Sequence, residues 1–363
     1  MAKPQVSLVL SGGVALGAYQ GGAYAALHKH RELRPRHIAG SSIGAVNAAL
    51  IAGNEPDHRV ERLRQFWEAV TVEPVSLETP WLQAHFEGPW RHAYDWLGVL
   101  RTRLFGRPGL FQPRMPELVL KNTTSLYDLA PLGAKLQSLL DFDRLNSGVE
   151  RVSIITTDIE TGQEVAFDTH KGDRIEADHI LASCGFLPDF PPLEIDGRVL
   201  GDGGLVANAP VGTVLDHREL EGDLLCFVVD LFASEGGRPS SLEEAAARRW
   251  DLIFGNQSRE KLDSLQREYE LRWSISKLAE HVGPRSARDP DLAAALQKGT
   301  GHSVKLVHLS YRASVQEAGP EKPFDFSRKT LTDRWEAGLL NMTEAIELAS
   351  RTRPRSRFSI HRV

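Results

Sequence analysis

Apolar positions come first in short unbroken runs and then at helical intervals. Val6, Leu8, Val9 and Leu10 nearly fill Gln5–Leu10. A strand this uniformly apolar is buried on both faces, as in a parallel sheet. A glycine-rich turn follows at 11–17, and then a helix is predicted over Ala18–His30. The cycle repeats with a strand at His37–Ser41, a helix of small residues at Ile43–Ala52 closed by Gly53, and an amphipathic helix at Asp57–Val70. The run from Val6 to Leu27 behind Lys3 has the outline of a secretory leader. Glycines at 12, 13, 17, 21 and 22 would break its apolar core and basic residues 28–31 follow it, so strand–turn–helix is preferred.

The pattern changes at about 80–124. Trp81, Phe86, Trp90, Tyr94, Trp96, Phe105 and Phe111 stand among Pro80, Pro89, Pro108 and glycines at 88, 98, 106 and 109, with Arg91, Arg101, Arg103 and Arg107 interleaved. Such punctuation predicts short, hinge-capable pieces inserted on the sheet. The segment is expected to be either a buried accessory subdomain or a mobile lid over a site at the strand ends. Further on, Ile154–Asp158 and Glu164–Phe167 read as a strand pair around Thr161-Gly162, and Ile175–Ser183 as a helix. Pro188, Pro191 and Pro192 enforce an extended loop. Leu193–Leu200 reads as a hairpin around Asp196-Gly197 that runs into Asp202. Asp223–Leu231 is a buried strand, Ser241–Val282 a long charged helix, Lys305–Tyr311 a strand and Thr332–Arg351 a closing helix. In the long helix, Ala246, Trp250, Ile253, Phe254, Leu262, Leu265, Tyr269 and Trp273 fall at helical spacing. They serve core packing or docking on a membrane or partner helix. Strand and helix alternate from the start, which predicts a mostly parallel sheet with helices on both faces. A catalytic α/β region is expected over 1–232. A helical region with one strand, packed on it, is expected over 233–363.

Composition narrows the classes. Of 363 residues, 41% are hydrophobic and 25% charged, and the net charge is −5. A mildly acidic chain has no general pull toward nucleic acid. Cys184 and Cys226 form neither a disulfide framework nor a paired-cysteine metal site, and two reduced core thiols fit a cytoplasmic location. No run of about 18 apolar residues predicts a membrane-spanning helix. No metal-ligand spacing is evident, and no cofactor is implied.

Three motifs carry candidate chemistry. Gly40-Ser41-Ser42-Ile43-Gly44 has the G-x-S-x-G spacing between a strand and a helix. There a serine sits on a sharp turn, and a Cβ at either glycine would meet the neighbouring chain. The same residues could be a serine N-cap with packing glycines. Ser11–Gly17 fits neither a dinucleotide fingerprint, since Val14 and Ala15 follow Gly13, nor a P-loop, since Ala18 replaces the lysine. What remains is a turn that presents backbone N–H groups, or a tight structural turn. Asp202-Gly203-Gly204 could be a turn aspartate, or the base that a serine nucleophile needs.

Taken together, LSGGVALGAYQGG, GSSIG and ASCGFLPDFPPLEIDGRVLGDGG resemble the patatin-like phospholipases in order and spacing, from Val6 to about Pro210. The resemblance implies a three-layer α/β/α fold and a Ser–Asp dyad without histidine, acting on acyl esters of phospholipids or other lipids. By position it makes Ser42 the nucleophile and Asp202 the base. The N–H groups of Gly12, Gly13 and Val14 become the oxyanion donors, with Gly17, Gly40, Gly44 and Gly203 as motif glycines. It also leaves room for peripheral contact with a membrane. Two departures stand out. Val14 takes the place of a third consecutive glycine, and a β-branched residue adopts positive φ only with strain. Leu16 stands where many members carry Arg or Lys. Phe324–Thr330 with Trp335-Glu-Ala-Gly is similar to a tail on some bacterial members.

Alternatives remain. A Ser–His–Asp triad would draw on His217, His302 or His308. The same acyl-enzyme would also serve acyl transfer or thioester hydrolysis. A member that only binds lipid would need neither Ser42 nor Asp202 to react.

Overall fold

Val6 through Leu10 are buried without interruption in the central strand β1 (Gln5–Leu10). The computed structural model describes residues 4–72, 89–114, 123–215, 222–281, 289–299, 302–313, 317, 319–351 and 357–363, the side chains at 89–94 and 320 excepted. Pro80, Trp81, Phe86, Gly88 and His217 therefore lie outside the described residues, as do the side chains of Trp90, Arg91 and Tyr94. The other strands are β2 (His37–Ser41), β3 (Gln112–Pro113), β4 (Tyr127–Asp128), β5 (Arg151–Asp158), β6 (Glu164–Asp168), β7 (Leu193–Ile195), β8 (Arg198–Asp202), β9 (Leu224–Asp230), β10 (Val304–Ser310) and β11 (Phe358–Arg362). The helices needed here are α1 (Ala18–Leu27), α2 (Ile43–Ala52), α3 (Arg59–Ala69), α4 (Pro89–Phe105), α5 (Ala130–Leu139), α6 (Ala177–Ser183), α7 (Gly204–Ala207), α8 (Val211–Val214), α9 (Leu242–His281) and α10 (Arg328–Arg351).

Among the described residues, nine strands form one sheet in the order β11-β10-β9-β1-β2-β5-β8-β7, with β6 also on β5. The pairs from β11 to β5 are all parallel, while β6, β8 and β7 join antiparallel. Period-two alternation divides the core. Leu8, Leu10, Phe227 and Val229 turn to one face, against α1, α2 and Leu331, Trp335 and Met342 of α10. Val9, Ala39, Cys226 and Val228 turn to the other, against α8 and Leu262, Leu265 and Tyr269 of α9. A sheet between two helical layers is the expected three-layer α/β/α architecture. All ten residues of α1 and all ten of α2 are buried, as befits helices apolar on every side. Helices α1 and α10 meet backbone to backbone. A Cβ on Gly22 would stand 1.8 Å from the Trp335 carbonyl oxygen, and one on Gly338 would stand 1.9 Å from that of Tyr19. The Trp335-Glu-Ala-Gly stretch is thus a helix-packing device.

Several elements differ from the sequence reading. Residues 89–105 form one 17-residue helix, α4, where short pieces were expected. Proline at a first helical position is harmless, and the single Gly98 costs only about 1 kcal/mol. Docking of Asp95, Val99 and Thr102, all buried on one face, offsets that cost. The C-terminal region supplies two strands, β10 and β11, and both extend the main sheet across the boundary expected at 232. Strand β11 is polar at Ser359 and His361 and among the described residues pairs with β10 alone, so its sequence lacks the apolar run of a central strand. Helix α5, the helix Pro290–Leu296 and the short β3–β4 ladder also went unread.

The topology brings two chain ends together. Strand β2 pairs with β5 as far as Ser41 opposite Ile155, and β8 approaches antiparallel as far as Asp202 opposite Thr156. Strand β6 occupies the other edge of β5 over Ser153–Thr157. Strands β2 and β8 therefore share one edge and meet head to head, with Ser42 and Asp202 at the junction.

Candidate active site

Ser42 has φ 55° and ψ −127°, a backbone region that a residue with a Cβ occupies only under strain. The surroundings enforce it. Its N–H donates to Ser183 Oγ at 2.9 Å, and the Ser183 hydroxyl donates to the Ile155 carbonyl at 2.5 Å. Its carbonyl accepts from the N–H groups of Ala45 and Val46, which opens α2 directly behind it. The flanking glycines permit the sharp turn, since a Cβ on Gly40 would lie 2.3 Å from the Gly44 carbonyl oxygen, and one on Gly44 would lie 2.1 Å from that of Leu10. The positive end of the α2 dipole thus faces the hydroxyl.

Asp202 is fixed at the end of β8 by three backbone contacts. Its N–H donates to the Gly185 carbonyl (3.1 Å), its carbonyl accepts from the Thr157 hydroxyl (2.7 Å), and its Oδ1 accepts from the Gly204 N–H (2.7 Å). Burial pushes its carboxyl up to about 7, against the opposing pull of hydrogen bonds from the Ser42 side chain and the Gly204 N–H. A Cβ at Gly203 would stand 2.3 Å from the Ile155 carbonyl oxygen, so this turn too needs glycine.

The turn after β1 separates the three expected donors. The Gly12 N–H donates to the Asn208 carbonyl at 3.1 Å and is already engaged. Gly13 and Val14 stand at the start of the 3-10 turn Val14–Gly17, where N–H groups have no partner within the helix, and theirs show none elsewhere among the described residues. Val14 has φ 51°, the strained alternative for a β-branched residue. Its side chain is partly buried against the core and lines the cavity above Ser42. Buried amides brace the turn from below. Gln20 donates to the Ser11 carbonyl (2.7 Å), Asn47 donates to Gln20 (2.9 Å) and to the Gly17 carbonyl (3.0 Å), and Trp67 donates to Asn47 (3.2 Å). A Cβ on Gly17 would stand 2.6 Å from Ile43, so α2 and the turn are locked together.

Ser42, Asp202, Gly12, Gly13 and Val14 line one partly open cavity of about 80 Å³. Its walls are Phe186, Phe190, Phe232, Trp250, Phe254, Pro323 and Phe324, with Trp250 stacked on Phe254 at 5.7 Å. Arg103, Asp189 and Glu321 stand at the rim. Burial lowers the Arg103 guanidinium pKa, but the two carboxylates outweigh it and the net shift is upward. Among the described residues no histidine lines the cavity. His308 is buried in β10 with Nε2 3.4 Å from Asp230 Oδ2. No cluster of three metal-ligating side chains occurs among the described residues. Both cysteines are free thiols, and burial raises both, Cys226 to about 12.

Sequence reasoning missed most of the walls and braces. Phe186, Phe190 and Phe324 stand in proline-rich stretches without periodicity, Gln20 and Ser183 lie inside the motif stretches with nothing local to mark their role, and Asn47 and Asn208 belong to no motif. Trp250 and Phe254 were legible as an apolar stripe, but not as cavity walls. In the aromatic segment, Phe111 is core, packed edge-on against Tyr127 and Phe190, whereas Phe105 is 72% exposed.

A strained serine over a glycine turn, at the end of a parallel sheet between two helical layers, defines a class of α/β proteins. The patatin-like phospholipase family profile matches residues 8–215, more than half of the chain, and a second profile described as patatin phospholipase matches 252–357. The chain belongs to the patatin-like phospholipase family. Similar solved structures include VipD from Legionella pneumophila, at 12% identity and TM-score 0.42 over 96% of this chain and 67% of that one. Another is ExoU, in complex with SpcU from the type III secretion system of Pseudomonas aeruginosa, at 18% and 0.30 over 96% and 78%. Human GIVD cytosolic phospholipase A2 matches at 11% and 0.40 over 96% and 59%. Superpositions this loose speak to neither reaction nor substrate.

Proposed function

We propose that this protein hydrolyses carboxylic ester bonds of lipids, with Ser42 as nucleophile and Asp202 as general base. One observation carries the reading: a strained, hydrogen-bond-stapled serine shares an aromatic cavity with a buried carboxyl whose pKa is about 7. A base poised near neutrality takes the Ser42 proton as Oγ attacks the acyl carbon. The developing oxyanion is received by the N–H groups of Gly13 and Val14. Gly12 keeps the turn in place through Asn208 instead of donating to the oxyanion. Protonated Asp202 then returns its proton to the departing alkoxide, leaving an acyl group on Ser42. Water repeats the sequence and releases the fatty acid. Every proton is handled by Asp202, so no cofactor enters.

The aromatic walls suit an acyl chain leaving water. On the helix that bears Arg103, Leu97, Leu100 and Leu104 follow each other on one face at 53–56% exposure, continued by Phe105. Exposed apolar side chains in a row mark a contact surface, and on a helix that carries Arg103 to an aromatic-walled cavity a bilayer is the fitting partner. Contact would be peripheral, since no described helix is long and apolar enough to cross a membrane. Two buried free thiols are compatible with a reducing cytoplasm. A panel of p-nitrophenyl esters and phospholipids, run with the native chain and with Ser42→Ala, tests the proposal. Hydrolysis is expected from the native chain only. Turnover that survives Ser42→Ala would refute the assignment.

A further inference from the structure

The rim of the Ser42 cavity holds a charge cluster that the proposed chemistry does not use. Arg103 reaches it from α4, Asp189 from the proline-rich loop after α6 and Glu321 from the 3-10 turn Gly319–Phe324. Arg103 Nη1 lies 2.6 Å from Asp189 Oδ1 and its Nε lies 3.0 Å from Glu321 Oε2. The guanidinium carbon sits 3.5 Å over the Phe324 ring. One cation thus faces two carboxylates, all three partly buried, and the rim carries an excess of negative charge.

That arrangement discriminates between headgroups. An anionic headgroup meets a guanidinium whose charge two carboxylates already offset, at Nη1 and Nε. To approach it the headgroup must sit beside both like charges, or displace one and leave that carboxylate partly buried without its partner. An ammonium group meets the surplus carboxylate charge of Asp189 and Glu321. We infer that this rim selects lipid substrates whose headgroup ends in an ammonium group and rejects headgroups with net negative charge. The same charge repels the fatty carboxylate formed at Ser42 and so favours its departure. The inference rests on the lipid-hydrolase reading above.

Short-chain diacyl phospholipids below their micelle concentration remove any contribution from a membrane surface. With identical acyl chains, the choline headgroup is expected to give a kcat/KM at least about tenfold above that of the glycerol headgroup. Glu321→Gln and Asp189→Asn should each narrow that ratio, and Arg103→Gln should widen it. A merely structural role would move both substrates together. Equal turnover of the two headgroups by the native chain would overturn the inference, as would substitutions that leave the ratio fixed. Either result leaves Ser42-dependent hydrolysis of p-nitrophenyl butyrate, and with it the hydrolase reading, intact. Absence of that hydrolysis would overturn both.

Discussion

The floor and the mouth of the Ser42 cavity are built by different means. The floor is backbone. Gly40, Gly44, Gly203 and Gly17 bring strand, turn and helix so close that an added Cβ would stand 2.1–2.6 Å from a neighbouring heavy atom. The mouth is made of side chains from α4, from the loop after α6 and from the turn before α10, joined through Arg103. A site that handles a proton and an oxyanion needs donors fixed to a fraction of an ångström, and packed backbone provides that. Admission of a long flexible substrate calls instead for surfaces that can part, and a few side-chain contacts suffice to hold them. The floor should therefore respond to substitution in chemistry and folding, and the mouth in substrate preference.

The largest effect is expected at Asp202. Asp202→Asn should lower turnover by about 10²–10⁴-fold. In the native chain kcat/KM should rise about tenfold from pH 6 to pH 8, as a carboxyl with pKa about 7 ionises, and the substitution should flatten that profile. Stability should move the opposite way. The folded pKa lies above the ordinary 3.8, so between about pH 4 and pH 7 the unfolded chain loses a proton that the folded one retains. Stability then falls by roughly 4 kcal/mol across that window and levels off above it. Asp202→Asn should abolish the decline and unfold at a higher temperature at pH 8, a comparison that thermal melts at pH 5 and pH 8 would make.

Next comes the tightest glycine of the floor. Gly44→Ala should cost at least about 3 kcal/mol in denaturant unfolding, because the backbone of Leu10 has nowhere to retreat. At the mouth, replacing Leu100 and Leu104 together by Ser should leave the fold stable, as both are more than half exposed. Hydrolysis of vesicle-borne phospholipid should fall by about 30-fold or more, since each of the two lost apolar side chains weakens bilayer contact by about 1–2 kcal/mol. Soluble p-nitrophenyl butyrate should be spared, and an equal loss on both substrates would remove the case for a bilayer-facing ridge. The smallest effect is expected at Val14. Val14→Gly relieves a left-handed valine and should raise stability by about 1 kcal/mol in the same unfolding assay.

The contrast also explains what could be read from sequence. Backbone geometry leaves glycines at fixed spacings, so Gly40-Ser41-Ser42-Ile43-Gly44 and Asp202-Gly203-Gly204 stood out, as did the strands that carry them. One part of the turn was misread. Gly12 has the same spacing whether its N–H is free or bonded to Asn208, and only the fold brings Asn208 within reach. The rim residues Arg103, Asp189 and Glu321 lie far apart in sequence, and no local pattern links them. Helix α4 was hidden because propensity counts its proline and glycine against it, while the docking of Asp95, Val99 and Thr102 that outweighs them is a tertiary fact. Strand β11 was hidden because an edge strand needs no continuous apolar run.

Ser42, activated inside this cavity, is proposed to be a nucleophile. Labelling with a fluorophosphonate probe, followed by peptide mass spectrometry, tests it most directly. One adduct is expected, on Ser42, lost in Ser42→Ala and formed more slowly as pH falls below about 7. An unlabelled native chain, or an adduct that persists in Ser42→Ala, would contradict it.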